Sequence, residues 1–250
     1  MVTRSLLRPL LDAIVLVAVV TLAWQGLYEY AGDVALTPPL ETVSLALDLL
    51  GSARFWPHVR ETGLAVAQGL AIAVLGGLSI GLTLGIHRLS GEVAEPILVA
   101  LYSIPKITLY PVILLIFGIG MPAKVAFGAI HGIIPIIIFS MNAMRNIHPV
   151  YLKTARVMRL GPLPLATRVL LPAALPEVFT GLRVGFALTL VGTLMGEMFG
   201  SQRGIGFMLM RAMGSHDMAT IMSVTLLLVL FATLVSVALL VVDRRLHRFG

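Results

Sequence analysis

Apolar stretches of about twenty residues recur along the chain, separated by short polar intervals. Each is long enough to cross the ~30 Å hydrocarbon core of a bilayer as a helix. Six spans are predicted, at residues 10–30, 61–86, 96–117, 124–141, 181–199 and 218–242. The interval 32–57 does not span. Thr37-Pro38-Pro39 marks a turn, and Val43, Leu47 and Leu50 share one face of a short helix at 41–50 suited to lie on a membrane surface. The third span is interrupted by Pro105 and Pro111, with Lys106 and Thr108 between them, so its freed carbonyls need local repair. Gly118-Ile119-Gly120-Met121-Pro122 is a tight turn, and 201–217 is predicted as an outer loop holding Arg203-Gly204-Ile205-Gly206. Small residues recur at every fourth position in two spans: Gly69, Ala73, Gly77, Gly81 and Gly85, then Gly192, Gly196 and Gly200. Such ridges let helix backbones approach closely in lipid. The predicted fold class is an all-α, polytopic membrane protein.

Composition supports this pattern. The chain is 58% hydrophobic and 12% charged, with a mean hydropathy of +0.98, whereas soluble domains carry about 25% charged residues. The absence of cysteine excludes disulfides and thiol chemistry. Residues 10–30 are read as a span rather than a cleaved leader, since no small-x-small cleavage site follows. The net charge of +6 is a topology signal, with no nucleic-acid partner expected. Lys and Arg on the predicted inner side outnumber those on the outer side by twelve to five, counting Lys124 as outer. This bias places both termini, 1–9 and the basic tail 243–250, in the cytoplasm.

The longest polar-containing interval lies between the fourth and fifth spans. Pro149 suits a first helical turn, and Gly161-Pro162 suits its end. About three turns between them put Tyr151, Ala155 and Met158 on one face, and Lys153, Arg156 and Arg159 on another. A second short helix is predicted at 165–170, stopped by Pro172 and Pro176. A short amphipathic pair of helices between membrane spans is a docking surface for a cytoplasmic partner; a merely lipid-binding basic helix would not need a fixed frame.

This segment resembles the cytoplasmic loop of the permease subunits of bacterial ABC importers. The family pattern is Glu-Ala-Ala, three residues, Gly, nine residues, Ile, one residue, Leu-Pro. Here Lys153-Thr154-Ala155, Arg159, Val169 and Leu171-Pro172 occupy those places, so basic residues replace the Glu and the Gly. ALPEVFTGLR and GEMFGSQRGIGFML are similar to the nitrate, sulfonate and taurine branch of type I importers. The resemblance implies a MetI-like permease fold over 10–242, with a coupling loop at 143–180. Tyr151, Lys153, Thr154, Ala155, Arg156, Met158, Arg159, Gly161, Leu171 and Pro172 would then contact the ATPase. It further implies two ATP-binding-cassette ATPase subunits carrying the ATP and Mg, and a second permease copy or homologue. A periplasmic or lipid-anchored solute-binding protein and a location in the bacterial inner membrane complete the expectation. The solute would be small and anionic or polar: a sulfonate, nitrate, an aromatic acid or a pyrimidine.

The chain's own chemistry is sparse. There is no phosphate-cradling G-x-x-x-x-G-K-[ST], no H-E-x-x-H and no G-x-S-x-G. The six histidines are dispersed, so no cofactor or metal is expected in this chain. Ionised groups inside a span usually face protein or water. Lys106 and Glu197 are therefore candidate pathway residues, Lys106 to attract an anion and Glu197 to brace the outer loop or touch solute. Tyr102, Ser103, Thr108, Tyr110, Thr189 and Thr193 are the polar residues expected along the same pathway. An ion-coupled transporter would call for inverted repeats and several intramembrane carboxylates. An intramembrane enzyme would need a nucleophile and its base, and the sequence offers no such pair.

Overall fold

The computed structural model describes residues 3–33 and 35–246, with the backbone alone at 3–10 and 243–246. The expected cytoplasmic ends at 1–9 and 243–250 thus lie partly outside the described residues. Every regular element among the described residues is helical: α1 (Thr3–Ala31), α2 (Pro39–Gly51), α3 (Trp56–Ile86), α4 (Arg88–Ser103), a 3₁₀ turn (Lys106–Leu109), α5 (Tyr110–Phe117), α6 (Met121–Arg145), α7 (Pro149–Val157), α8 (Pro162–Leu165), a π turn (Ala166–Leu170), α9 (Leu171–Gly200), α10 (Ile205–Gly214) and α11 (Met218–Leu246). Among the described residues, five helical segments are long and apolar enough to cross a membrane. The pair α4–α5, bent by 80°, makes a sixth if it is counted as one broken span.

Two compact units make up the chain, residues 1–56 with 209–230, and residues 57–208 with 231–250. In the first, α1 is exposed along nearly all of residues 11–31, as an apolar rod bathed in lipid would be. Trp24 donates from Nε1 to the carbonyl of Thr37 at 3.1 Å, fixing the turn before α2. Pro39 opens α2 where its missing N–H costs nothing. The helix buries Thr42 and Ala46 and leaves Val43, Leu47 and Leu50 exposed on the expected face. Asp217 accepts from the Thr220 amide at 3.0 Å and its hydroxyl at 2.6 Å, capping α11. These bonds to Thr220 hold the Asp217 carboxyl below its ordinary range. Its contribution to the cap is complete above the unfolded carboxyl's pKa and is lost as pH falls through the lowered one.

The second unit is built on α6, more than half of which is buried, the largest share among the spans. Both small-residue ridges converge on it. An added Cβ at Gly81 would lie 2.6 Å from the carbonyl of Ile137; at Gly85, 2.6 Å from that of Met141. On the other side, Gly185 and Gly192 leave no room against Ile136 and His131, at 2.5 and 2.7 Å. Thr189 and Thr193 of α9 in turn point at Gly132 and Gly128 of α6.

Two expectations are corrected. The predicted helix at 165–170 is not separate, and Pro172 and Pro176 do not stop it. Residues Pro162–Gly200 run as one helix of 39 residues. The amide of Leu171 bonds to the carbonyl of Ala166, five residues back. This π turn widens the backbone next to Arg168, whose carbonyl would otherwise meet the Pro172 ring. At 1.5 Å per residue the helix is about 58 Å long, so roughly half projects beyond a bilayer core. The predicted loop 201–217 also contains a helix, α10. Of the two prolines expected to interrupt the third span, Pro105 alone breaks it, since Pro111 sits in the tolerant first turn of α5.

Gly81→Ala is expected to cost about 1–3 kcal/mol by forcing α3 off α6, lowering the thermal unfolding midpoint in detergent. Gly63→Ala, on the same helix with nothing within 4 Å, is expected to leave the midpoint unchanged or raise it.

Candidate functional site

The α7 segment is preformed. His148 accepts the amide of Val150 at its N-terminus. At the other end the amides of Arg159 and Leu160 bond to the carbonyls of Arg156 and Ala155, both at 3.0 Å. This paired closure needs a left-handed residue, and Arg159 supplies it with φ of 49°. The helix therefore ends two residues before the expected Gly161, at the position where the family pattern has glycine. A non-glycine there carries about 1–2 kcal/mol of strain. Tyr151, Lys153, Thr154, Arg156, Met158 and Arg159 are exposed, as are Gly161, Leu171 and Pro172. Ala155 is the exception: it is buried against the chain itself, so it supports the surface rather than forming part of it. Val157, 83% exposed, adds an apolar group that the spacing argument overlooked.

The α4–α5 break gathers four expected pathway residues, Tyr102, Ser103, Lys106 and Thr108. Pro105 has no amide to donate, and the chain is extended at Ile104. Side-chain donors bond to carbonyls around the break. Ser103 donates to the Val99 carbonyl at 2.9 Å and Thr108 to that of Pro105 at 2.8 Å. The Lys106 ammonium donates to the carbonyl of Tyr102 at 3.0 Å and rests 4.9 Å from the centre of its ring. In an unbroken helix the Lys106 amide would fill that position, four residues on. All four residues are exposed or half-exposed.

Thr189, Thr193 and Glu197 are instead wholly buried. Glu197 accepts from the Thr62 hydroxyl at 2.8 and 2.9 Å, from the Gly206 amide at 3.0 Å and from Lys124 at 3.4 Å. Lys124 is also wholly buried and reaches Glu61 at 3.0 Å and the carbonyl of Arg203 at 3.2 Å. It is therefore not the free outer cation assumed in the charge count. Thr62 further accepts the Ile205 amide, and His58 that of Gly204, at 2.8 and 3.0 Å. The first amides of α10 thus end on side chains of α3 and α9. Gly204, with φ of 124°, has no space for a Cβ beside the Glu197 carboxyl. No local motif announces this clasp; the apolar surroundings of Glu197 were the one available signal.

A cleft of about 590 Å³ lies between α4, α9 and α11. Tyr102, Arg183, Thr233 and Ser236 give it polar groups, and Leu188, Val237 and Leu240 apolar walls. Arg183 lies 17 residues before Gly200, about 25 Å along the helix.

Lys124→Met leaves the buried Glu197 without its cation and is expected to destabilise by about 3–5 kcal/mol. Adding Glu197→Gln should restore most of the loss. Thermal unfolding of the purified single and double variants checks this, and equal loss in both would refute the pairing.

The family model for the binding-protein-dependent transport system inner membrane component matches residues 73–248. A probable ABC transporter permease protein of Haemophilus influenzae is 32% identical over 197 residues, 78% of each chain. The nitrate import permease protein NrtB of Leptolyngbya laminosa is 31% identical over 202 residues, 77% of this chain and 71% of that one. A structure of the MetNI methionine ABC transporter in an inward-facing conformation superposes with a TM-score of 0.67 at 24% identity. It covers 78% of this chain and 99% of that one, and it shares the MetI-like permease fold. The chain belongs to the family of binding-protein-dependent transport system inner membrane components, the permease subunits of type I ABC importers.

Proposed function

We propose that the chain forms the membrane pathway of an ATP-driven importer and receives its energy through α7. The observation that carries this is the surface of α7. A helix closed at both ends presents Tyr151, Val157 and Met158 to solvent among Lys153, Arg156 and Arg159. Exposed apolar groups rimmed by charge mark a protein-binding surface. The partners on this reading are two ATPase subunits, a second permease copy or homologue, and a solute-binding protein. The coupling loop at 143–180 and both termini then lie in the cytoplasm, in agreement with the charge bias. ATP binding and hydrolysis occur on the partners, and the chain itself transforms no bond. Movement of α7 rocks the spans between outward and inward openings as rigid bodies.

The solute is small and anionic. The nitrate permease relative and the half-exposed Lys106 at the α4–α5 break support this. Tyr102, Ser103, Lys106 and Thr108 line the pathway at the break. Thr189, Thr193 and Glu197 form the packed wall behind it.

Tyr151→Asp and Met158→Asp are each expected to weaken association with the ATPase by at least about tenfold, and to abolish solute-stimulated ATP hydrolysis. Co-purification and hydrolysis assays read the two effects. Full association and stimulation in both variants would remove α7 from the interface.

A further inference from the structure

His131 stands in the middle of α6 and is half-buried. Its Nδ1 lies 2.8 Å from the carbonyl of Phe127. A carbonyl only accepts, so Nδ1 carries the proton, and in the neutral ring Nε2 is an acceptor. Among the described residues no group bonds to Nε2, yet the atom is not sealed in the interior. The ring is fixed by its neighbours. Phe127 meets it edge to face, with centroids 4.6 Å apart. Gly192 of α9 approaches Cγ and Nδ1 so closely that an added Cβ would lie 2.7 Å from both. Nε2 lies across the ring from Cγ.

The packing of α6 sets this ring at the α4–α5 break. On one side of the break, Tyr110 and Ile113 of α5 pack with Phe127, and the Tyr110 and Phe127 rings are 5.2 Å apart. On the other side, Leu98 of α4 packs with Ile137 and Met141. His131, about one turn on from Phe127, falls between these two contacts, level with the residues that form the break. The charge of Lys106 acts on the imidazole, as that placement requires. A cation and a neutral acceptor therefore share the space at the break. The two groups differ in what they can distinguish. An ammonium attracts any small anion. A ring acceptor is satisfied by an O–H or N–H donor and left unpaired by a methyl group in the same place, a difference of about three- to tenfold in binding.

We propose that His131 is a specificity-determining residue of the pathway, its Nε2 accepting a hydrogen bond from an O–H or N–H group that the solute carries beside its negative charge. This rests on the permease reading above and adds a selection among anions that attraction by Lys106 does not make.

The test uses the full chain purified with its ATPase partner, and the chain has no cysteine to interfere. In the first arm, His131→Cys is labelled with an anionic sulfonatoethyl and a cationic trimethylammonioethyl methanethiosulfonate, each rate divided by that of a free thiol. The anionic reagent is expected to be at least about threefold faster, and Lys106→Met should remove the difference. No labelling by either reagent, or a difference indifferent to Lys106→Met, overturns the proposal. In the second arm, His131 is kept and Thr108→Cys is labelled in the presence of glycolate or propionate. These acids match in charge and nearly in size, with a hydroxyl in one where the other has a methyl. Half-protection is expected at a concentration about three- to tenfold lower for glycolate. His131→Phe should make the two equal, and His131→Gln, which keeps an acceptor, should retain part of the preference. A ring that only fills space would not set this ratio. Absence of protection by glycolate, equal protection with His131 present, or a preference that survives His131→Phe overturns the proposal. Retention of the ATPase in the same samples separates the two readings. Failure of either arm with the ATPase present removes the role of His131 alone, whereas loss of the ATPase from the unmodified chain removes the permease coupling.

Discussion

Backbone-to-backbone approach is the constraint on which the second unit depends. Lipid tails are as apolar as leucine, so helices in a bilayer gain little from hiding apolar surface from one another. They gain from contact, and contact is greatest where no side chain intervenes. Gly77, Gly81 and Gly85 bring α3 to within reach of the carbonyls of α6, and Gly185 and Gly192 do the same for α9. Two faces of one helix are thereby held by neighbours that cannot shift without creating voids or clashes. Such an assembly resists shear between its helices.

Ion pairs mark both ends of that central helix. Near its start, Lys124 is buried with Glu197 and Glu61. At its end, Arg145 meets Glu95 at 2.6 Å. The two differ in consequence. Lys124 and Glu197 are sealed from water while Glu61 is partly exposed, and the desolvation of Glu197 is offset by hydrogen bonds from Thr62 and from the amide of Gly206. The second is partly exposed and contributes little energy. It does, however, tie α4 to the end of α6. Only Asn146, Ile147 and His148 separate that end from α7, and Ile147 is buried. A displacement of α7 therefore has a short, packed route into α6, and from there to the break at Pro105.

Much of this architecture was legible in the sequence because hydropathy and four-residue spacing are local signals. The spans and the helix at α2 follow from them, and the break at Pro105 from the missing amide of proline. What escaped depends on partners far along the chain. Lys124 reads as a loop cation until Glu197, 73 residues away, closes on it. Pro172 reads as a terminator because its cost depends on whether the carbonyl of Arg168 has room, and the π turn provides that room. Ala155 shares a helical face with Tyr151 and Met158, yet it is turned inward by packing of α7 on the 166–170 turn. For the candidate site, the sequence located the loop and the broken span. It gave no sign that Thr189 and Thr193 are buried between helices, nor that Arg183 lines a cleft with Tyr102; for Glu197 the apolar surroundings alone hinted at burial.

The central claim is that α7 is the surface through which a cytoplasmic partner drives the membrane helices. The chain contains no cysteine, so a single cysteine at the exposed Val157 reports on that surface alone. The direct measurement is the labelling rate of Val157→Cys by a membrane-impermeant maleimide, from each side of the membrane, with and without the ATPase. The account predicts rapid labelling from the cytoplasmic side only, and protection when the ATPase is bound. Labelling from the outer side, or a rate indifferent to the ATPase, would contradict it.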